Sequence, residues 1–151
     1  MGFLENLLGE ESERTKSVQA ENVYVEKKVP KIPFRISTSF LPVRLSAMKQ
    51  NSVNLVVKLK NITSDSQLVS VDVALPKGKL LGFDATCINK AIEKKVGEVG
   101  PGETSEVSIP IFSSNQTEAG DYELALTAYA HYQDYNKVLA CVKKRASLRV
   151  V

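Results

Sequence analysis

A single histidine, His131, bounds much of the chemistry open to this chain of 151 residues. A Ser-His-Asp triad, a Cys-His pair or a zinc site would each have to pass through it. It stands on the opposite strand face from Leu126 and Ala128, beside Tyr129 and Gln133, and reads as an exposed surface histidine. The two cysteines, Cys87 and Cys141, form no CxxC pair and have no local group to activate a thiolate. They read as free thiols with packing roles. Asp65, Asp72 and Asp84 lack the spacing of a calcium loop. Gly97, Gly100 and Gly102 precede a strand rather than a helix, so they offer no helix terminus to a phosphate. The expectation is a chain with no metal, no cofactor and no enzymatic activity.

What remains are surfaces that could bind. Lys143, Lys144 and Arg145 fall on the last apolar-periodic segment, and Lys58 and Lys60 on the wet face of an earlier one. Lysines on edge strands block unwanted pairing; gathered on one face, they would also dock an acidic or phosphorylated partner. Tyr129, Tyr132 and Tyr135, interleaved with Gln133, Asp134 and Asn136, form a polar aromatic hairpin. Tyr offers a large contact area at low entropic cost, which suits protein recognition. At the other end of the chain, Met1, Phe3, Leu4, Leu7 and Leu8 recur at helical spacing and stop at Gly9. This is two turns at most, a candidate anchor for a partner groove or a membrane surface. The glutamates that follow would be repelled by anionic headgroups.

Charge is unevenly spread. Residues 1–26 hold Glu5, Glu10, Glu11, Glu13, Glu21 and Glu26 against Arg14 and Lys16, leaving that stretch at −4 while the rest of the chain carries +7. A net charge of +3 argues against nucleic acid as the partner. The start lacks the basic and apolar regions of a secretory signal, and no run approaches a membrane span of roughly 20 apolar residues. A cytoplasmic protein is expected, at most peripheral to the membrane, and the sequons Asn61-Ile62-Thr63 and Asn115-Gln116-Thr117 are then chance matches.

The elements that must position these residues are strands. Residues 9–28 are polar with little periodicity and read, with the apolar segment before them, as an N-terminal acidic extension over 1–29. From Phe34 onward the period is two: Phe34, Ile36, Thr38 and Phe40; Val53, Leu55, Val57 and Leu59; Val69, Val71, Val73 and Leu75; Val107, Ile109 and Ile111; Tyr122, Leu124, Leu126, Ala128 and Ala130. The last strand, roughly 138–150, places Val142, Leu148 and Val150 together, with Lys144 interrupting at a candidate bulge. Residues 84–95 are ambiguous; Ile88, Ala91 and Ile92 fit helical spacing and Asp84 could cap one or two turns. Gly100-Pro101-Gly102 makes a tight reversal between a short edge strand ending near Val99 and an inner strand starting near Glu103. About seven short strands bounded by turn signals argue for an antiparallel β-sandwich over residues 30–151.

The stretches "VALPKGKLLGF" (73–83), "KKVGEVGPGETSEVSIPI" (94–111) and "AGDYELALTAYA" (119–130) resemble successive strands of bacterial and archaeal immunoglobulin-like modules of the CARDB type. The resemblance covers about residues 40–150 and implies an immunoglobulin-like sandwich; it implies no particular activity. Gly120-Asp121-Tyr122 fits a tyrosine corner, in which a Tyr near the start of the penultimate strand bonds back to upstream backbone. Val57 and Leu124 stand where an antibody-type domain would have its inter-sheet cysteines, and the chain has no Trp. The functional expectation is an interaction module, an adaptor or scaffold whose partner is another protein. The alternative is an assembly or peripheral-membrane adaptor tethered through its N-terminal segment. Self-association through an edge strand is a further route to a complex.

Overall fold

The computed structural model describes residues 32–151, which form one unit. It contains nine strands and, among the described residues, no helix: β1 (Phe34–Leu41), β2 (Arg44–Leu45), β3 (Ser52–Asn61), β4 (Gln67–Ala74), β5 (Leu81–Gly82), β6 (Ala91–Val99), β7 (Thr104–Ser113), β8 (Gly120–His131) and β9 (Val138–Val150). They make a four-stranded sheet ordered β1-β3-β7-β5 and a five-stranded sheet ordered β2-β9-β8-β4-β6.

The two-residue period builds the core. Val53, Leu55, Val57 and Leu59 from β3 and Ile109 and Ile111 from β7 point inward from one sheet. Val69, Val71 and Val73 of β4 and Leu124, Leu126 and Ala128 of β8 meet them from the other, in a single buried cluster. Each such side chain contributes about 1.5–3 kcal/mol on burial, enough to fix the register, since a one-residue slip would turn a whole row to water. Val57 and Leu124 are both 1% exposed, so aliphatic packing holds the centre. At the start of β8 the Tyr122 hydroxyl donates to the Glu118 carbonyl at 2.6 Å, the expected tyrosine corner.

The Gly100-Pro101-Gly102 turn joins β6, an edge strand, to β7, an inner strand of the other sheet. It is a crossing between layers rather than a hairpin. Gly102 adopts φ +73°, a conformation that costs a glycine little, and its N–H donates to the Asn61 carbonyl at 2.8 Å. Asn61 completes the lock. Its side chain, at 0% exposure, donates to the carbonyls of Val99 (2.9 Å) and Asp65 (2.8 Å) and accepts from the Thr63 N–H (2.9 Å) and hydroxyl (2.6 Å). Thus the Asn61 sequon is a structural tie between two loops.

Several expectations need correction. The count is nine strands rather than about seven, because β2 and β5 add two residues each. The sheets are not wholly antiparallel either, since β2 runs parallel to β9. Residues 84–95 hold no helical turn. Asp84 and Cys87 close a backbone turn at 3.1 Å, Cys87 takes φ 58°, outside helical space, and from Ala91 the backbone pairs with β4. Strand pairing with a buried neighbour overrides the weak helical spacing of Ile88, Ala91 and Ile92. The irregularity in β9 lies not at Lys144 but where the register shifts between Ala130 and His131, leaving Leu139 as the extra residue. Lys144 stays in the inward-facing row, and its ammonium leaves the core at the sheet edge to donate to the Ile36 carbonyl of β1 at 2.6 Å. The acidic extension and the candidate anchor Phe3, Leu4, Leu7 and Leu8 lie outside the described residues.

Candidate functional site

The outer face of the five-stranded sheet gathers most of the polar chemistry. Alternation sends Ser70 and Asp72 of β4 outward, and the register sets Lys95 and Tyr129 on either side of Ser70, and Glu93 and Thr127 on either side of Asp72. His131 follows Tyr129 on the same outward face of β8 and reaches Ser70 on the neighbouring strand. Its Nε2 lies 2.7 Å from the Ser70 hydroxyl, and the two residues are 6% and 3% exposed. The hairpin after β8 folds over this pair. The Tyr135 ring meets the His131 ring edge-on with centroids 5.1 Å apart, and the Lys95 ammonium lies 5.1 Å from the Tyr135 centroid. The expectation of an exposed His131 is therefore wrong. The residue does face outward, but its neighbours cover it. Covered in this way, the Ser70 hydroxyl is out of reach of a substrate while Tyr135 stays in place, and His131 Nδ1 has no hydrogen-bond partner.

Beside the covered pair the face opens into a concavity of about 400 Å³. Small side chains make its floor: Ala74, Ala91 and Ala125 lie on three adjacent strands, where longer residues would fill the space. Tyr129 and Thr127 form one wall, and Asp72 and Glu93, directly opposite each other across β4 and β6, form another. One oxygen of Asp72 is shut off from water and has no donor. Burial first, and then the Glu93 charge, push its carboxyl above the usual carboxylate range, against a smaller opposing pull from His131. The ion pairs among the described residues lie further down the face, Arg145 with Glu123 (3.5 Å) and Arg149 with Asp121 (3.7 Å).

Of the residues singled out in the sequence, Tyr129 and Tyr135 come together around His131, while Tyr132 stands apart at the hairpin tip, 51% exposed. The basic residues do not share one surface. Lys143 and Arg145 alternate outward on the five-stranded sheet, Lys144 turns inward to β1, and Lys58 and Lys60 face out from the other sheet. Asp65, Asp72 and Asp84 lie in three separate places: the loop after β3, the middle of β4 and the loop before β6. The Asp84 carboxyl is held below its ordinary value, chiefly by the Thr86 hydroxyl. Cys87 is buried and Cys141 exposed, both free, so the packing role falls to Cys87 alone. Sequence reading missed Ser70, Glu93, Lys95 and Thr127 as a group. Their signal was the wet side of three strands, which becomes a site only once the register is known.

No protein-family model matches the chain. Comparison with curated proteins likewise returns no match. Solved structures do match. Native α2-macroglobulin from Escherichia coli, spanning domain MG7 to the C-terminus, aligns with a TM-score of 0.51 and 20% identity, covering 81% of this chain and 17% of that one. The alkylpurine DNA glycosylase AlkC of Pseudomonas fluorescens, bound to DNA containing an abasic site analogue, aligns at 0.48 and 14% identity over 78% of this chain and 30% of the glycosylase. A FixG-related protein from Vibrio parahaemolyticus aligns at 0.47 and 12% identity, over 79% of this chain and 97% of that one. The chain thus spans under a third of the glycosylase and under a fifth of the macroglobulin fragment, and these are likenesses of fold. The expectation that the chain is no enzyme is corrected by the glycosylase among them: that exclusion is withdrawn. Among the described residues no helix is long and apolar enough to cross a membrane.

Proposed function

We propose that the chain is a protein-interaction module, an adaptor or scaffold built on an immunoglobulin-like sandwich of the CARDB type and working in the cytoplasm. It docks another protein on the outer face of its five-stranded sheet. One observation carries this reading: that face holds an open concavity across β8, β4 and the edge strand β6, with an alanine floor and a tyrosine wall, and no part of the described chain fills it. The strand ending in Leu75-Pro76, the turn Gly100-Pro101-Gly102-Glu103 and the Gly120-Asp121-Tyr122 opening support the CARDB-type architecture. Two free thiols suit a reducing compartment.

Site-specific photo-crosslinking in cells tests the docking face. A photoreactive residue replacing Thr127 in the full chain should yield protein adducts, and one replacing Lys58 on the other sheet should not. Equal yields at both positions, or none at either, would remove the reading.

A further inference from the structure

The concavity has a chemistry of its own, and it selects among partners. Asp72 and Glu93 face each other as like charges on adjacent strands, an arrangement that destabilises a sheet unless a cation lies between them. The cations nearest in register do not serve. Lys95 is directed to the Tyr135 ring, Lys143 pairs in register with Thr127 on the far side of β8, and neither makes an ion pair with either carboxylate. A metal ion is a poor candidate. Among the described residues no three His, Cys, Asp or Glu side chains come together, and two carboxylates fall short of the roughly six to eight oxygens that calcium takes. The surroundings suit an organic cation instead: the alanine floor offers apolar surface to an alkyl stem, and the Tyr129 ring stands at the wall for a cation–π contact.

We infer that this concavity receives a lysine or arginine side chain of the docked protein, its stem on Ala74, Ala91 and Ala125 and its charge between Asp72 and Glu93. The inference rests on the docking reading above and names the partner's chemistry: an extended segment with a protruding basic residue. The Asp72 carboxylate, with one oxygen closed off without a donor, gains from a cation at its other oxygen the compensation its own surroundings lack. His131 sits opposite Leu68 and is engaged with the Ser70 hydroxyl through Nε2, so it does not stand between the two carboxylates.

The test uses the full chain labelled with ¹⁵N and three probes: a flexible Gly-Ser peptide carrying one central arginine, the same peptide with citrulline in its place, and spermidine. Amide shifts at Ala74, Ala125 and Thr127 should move with the arginine peptide and not with the citrulline peptide. Asp72→Asn and Glu93→Gln should each weaken that response roughly tenfold, as the loss of one charge-assisted hydrogen bond implies, while Lys58→Ala leaves it unchanged. Equal responses to arginine and citrulline, or responses unaffected by both acidic-site variants, would overturn the inference. Spermidine binding as tightly as the arginine peptide would overturn the peptide occupant in favour of a free amine. If crosslinks form at Thr127 but arginine peptides do not bind, the docking face stands and its basic selectivity falls. If crosslinks are absent as well, both fall.

Discussion

Asn61 offers the sharpest test of how the loops are held. Its amide meets four partners at 2.6–2.9 Å with no exposure to water, and the two it donates to, the Val99 and Asp65 carbonyls, accept only. Asn61→Asp changes one atom type and turns both donor contacts into oxygen facing oxygen. Two hydrogen bonds at about 1 kcal/mol each are lost, and a desolvated acceptor adds about 1–3 kcal/mol. The expected loss is therefore about 3–5 kcal/mol at pH 7.5. Asn61→Ala removes all four contacts but introduces no repulsion, and should cost about 4 kcal/mol on the same count. Urea unfolding of both variants and the parent measures this as a fall in midpoint with unchanged slope. The pH dependence separates repulsion from mere loss of contact. Burial and the two facing carbonyls favour the neutral acid, so the introduced carboxyl has a folded pKa above its unfolded value of about 3.9. Its penalty is full above the folded pKa and fades as the pH drops through it, because the protonated acid can donate to one carbonyl. The Asp variant should gain stability relative to the Ala variant as the pH falls through that folded pKa. An Asp variant within about 0.5 kcal/mol of the parent at pH 7.5 would refute the reasoning, since it would mean the amide carries no net energy.

Three further outcomes follow from single contacts. Asp72→Asn should raise stability by about 0.5–1 kcal/mol at neutral pH by removing the like-charge pair with Glu93, seen as a higher Tm. Because the Asp72 carboxyl titrates above its ordinary value, this gain is present above its folded pKa and vanishes below the ordinary aspartate value of 3.8; a gain independent of pH would refute it. Lys144→Met keeps the apolar stem but loses the donor to the Ile36 carbonyl, and should cost about 1 kcal/mol by urea unfolding, whereas no loss would show the inter-sheet bond to be idle. In the native protein a thiol reagent should modify Cys141 quickly and Cys87 only on unfolding, since burial both covers the Cys87 thiol and raises its pKa; two equally fast thiols would contradict the packing around Gly82.

The tight contact at Gly82 shows why some of the fold was legible in the sequence and some was not. A Cβ there would collide with the Cys87 backbone, so the chain doubles back on itself between β5 and β6. Nothing local in "GFDATC" announces this, because the constraint comes from a residue five positions away, at the end of a turn where Cys87 takes φ 58°. The long strands were readable for the opposite reason. Val53 to Leu59, Val56 apart, and Val69 to Val73 alternate apolar with polar, and one inward face with one outward face is all that a period of two encodes. The Gly100-Pro101-Gly102 turn was readable from its own residues, but not which sheet received the next strand. Hydrophobic alternation says that a strand is half-buried and is silent about its neighbours.

The same silence explains the site. His131 was read as exposed because its parity placed it opposite Leu126 and Ala128; the parity holds, but facing outward is not the same as reaching water. Burial of an outward side chain depends on what lies beside it across the sheet, here Ser70 from β4, and on what folds over it, here Tyr135 from the hairpin. Likewise, Asp72 and Glu93 stand 21 positions apart in sequence and become a pair only through the β4–β6 register. The three basic residues in a row misled in the reverse direction. Adjacent positions on a strand point to opposite faces, so Lys143, Lys144 and Arg145 could never have formed one surface. Sequence proximity along a strand disperses charge, and register across strands collects it, which is why a binding face on a β-sheet is written in residues two or three strands apart.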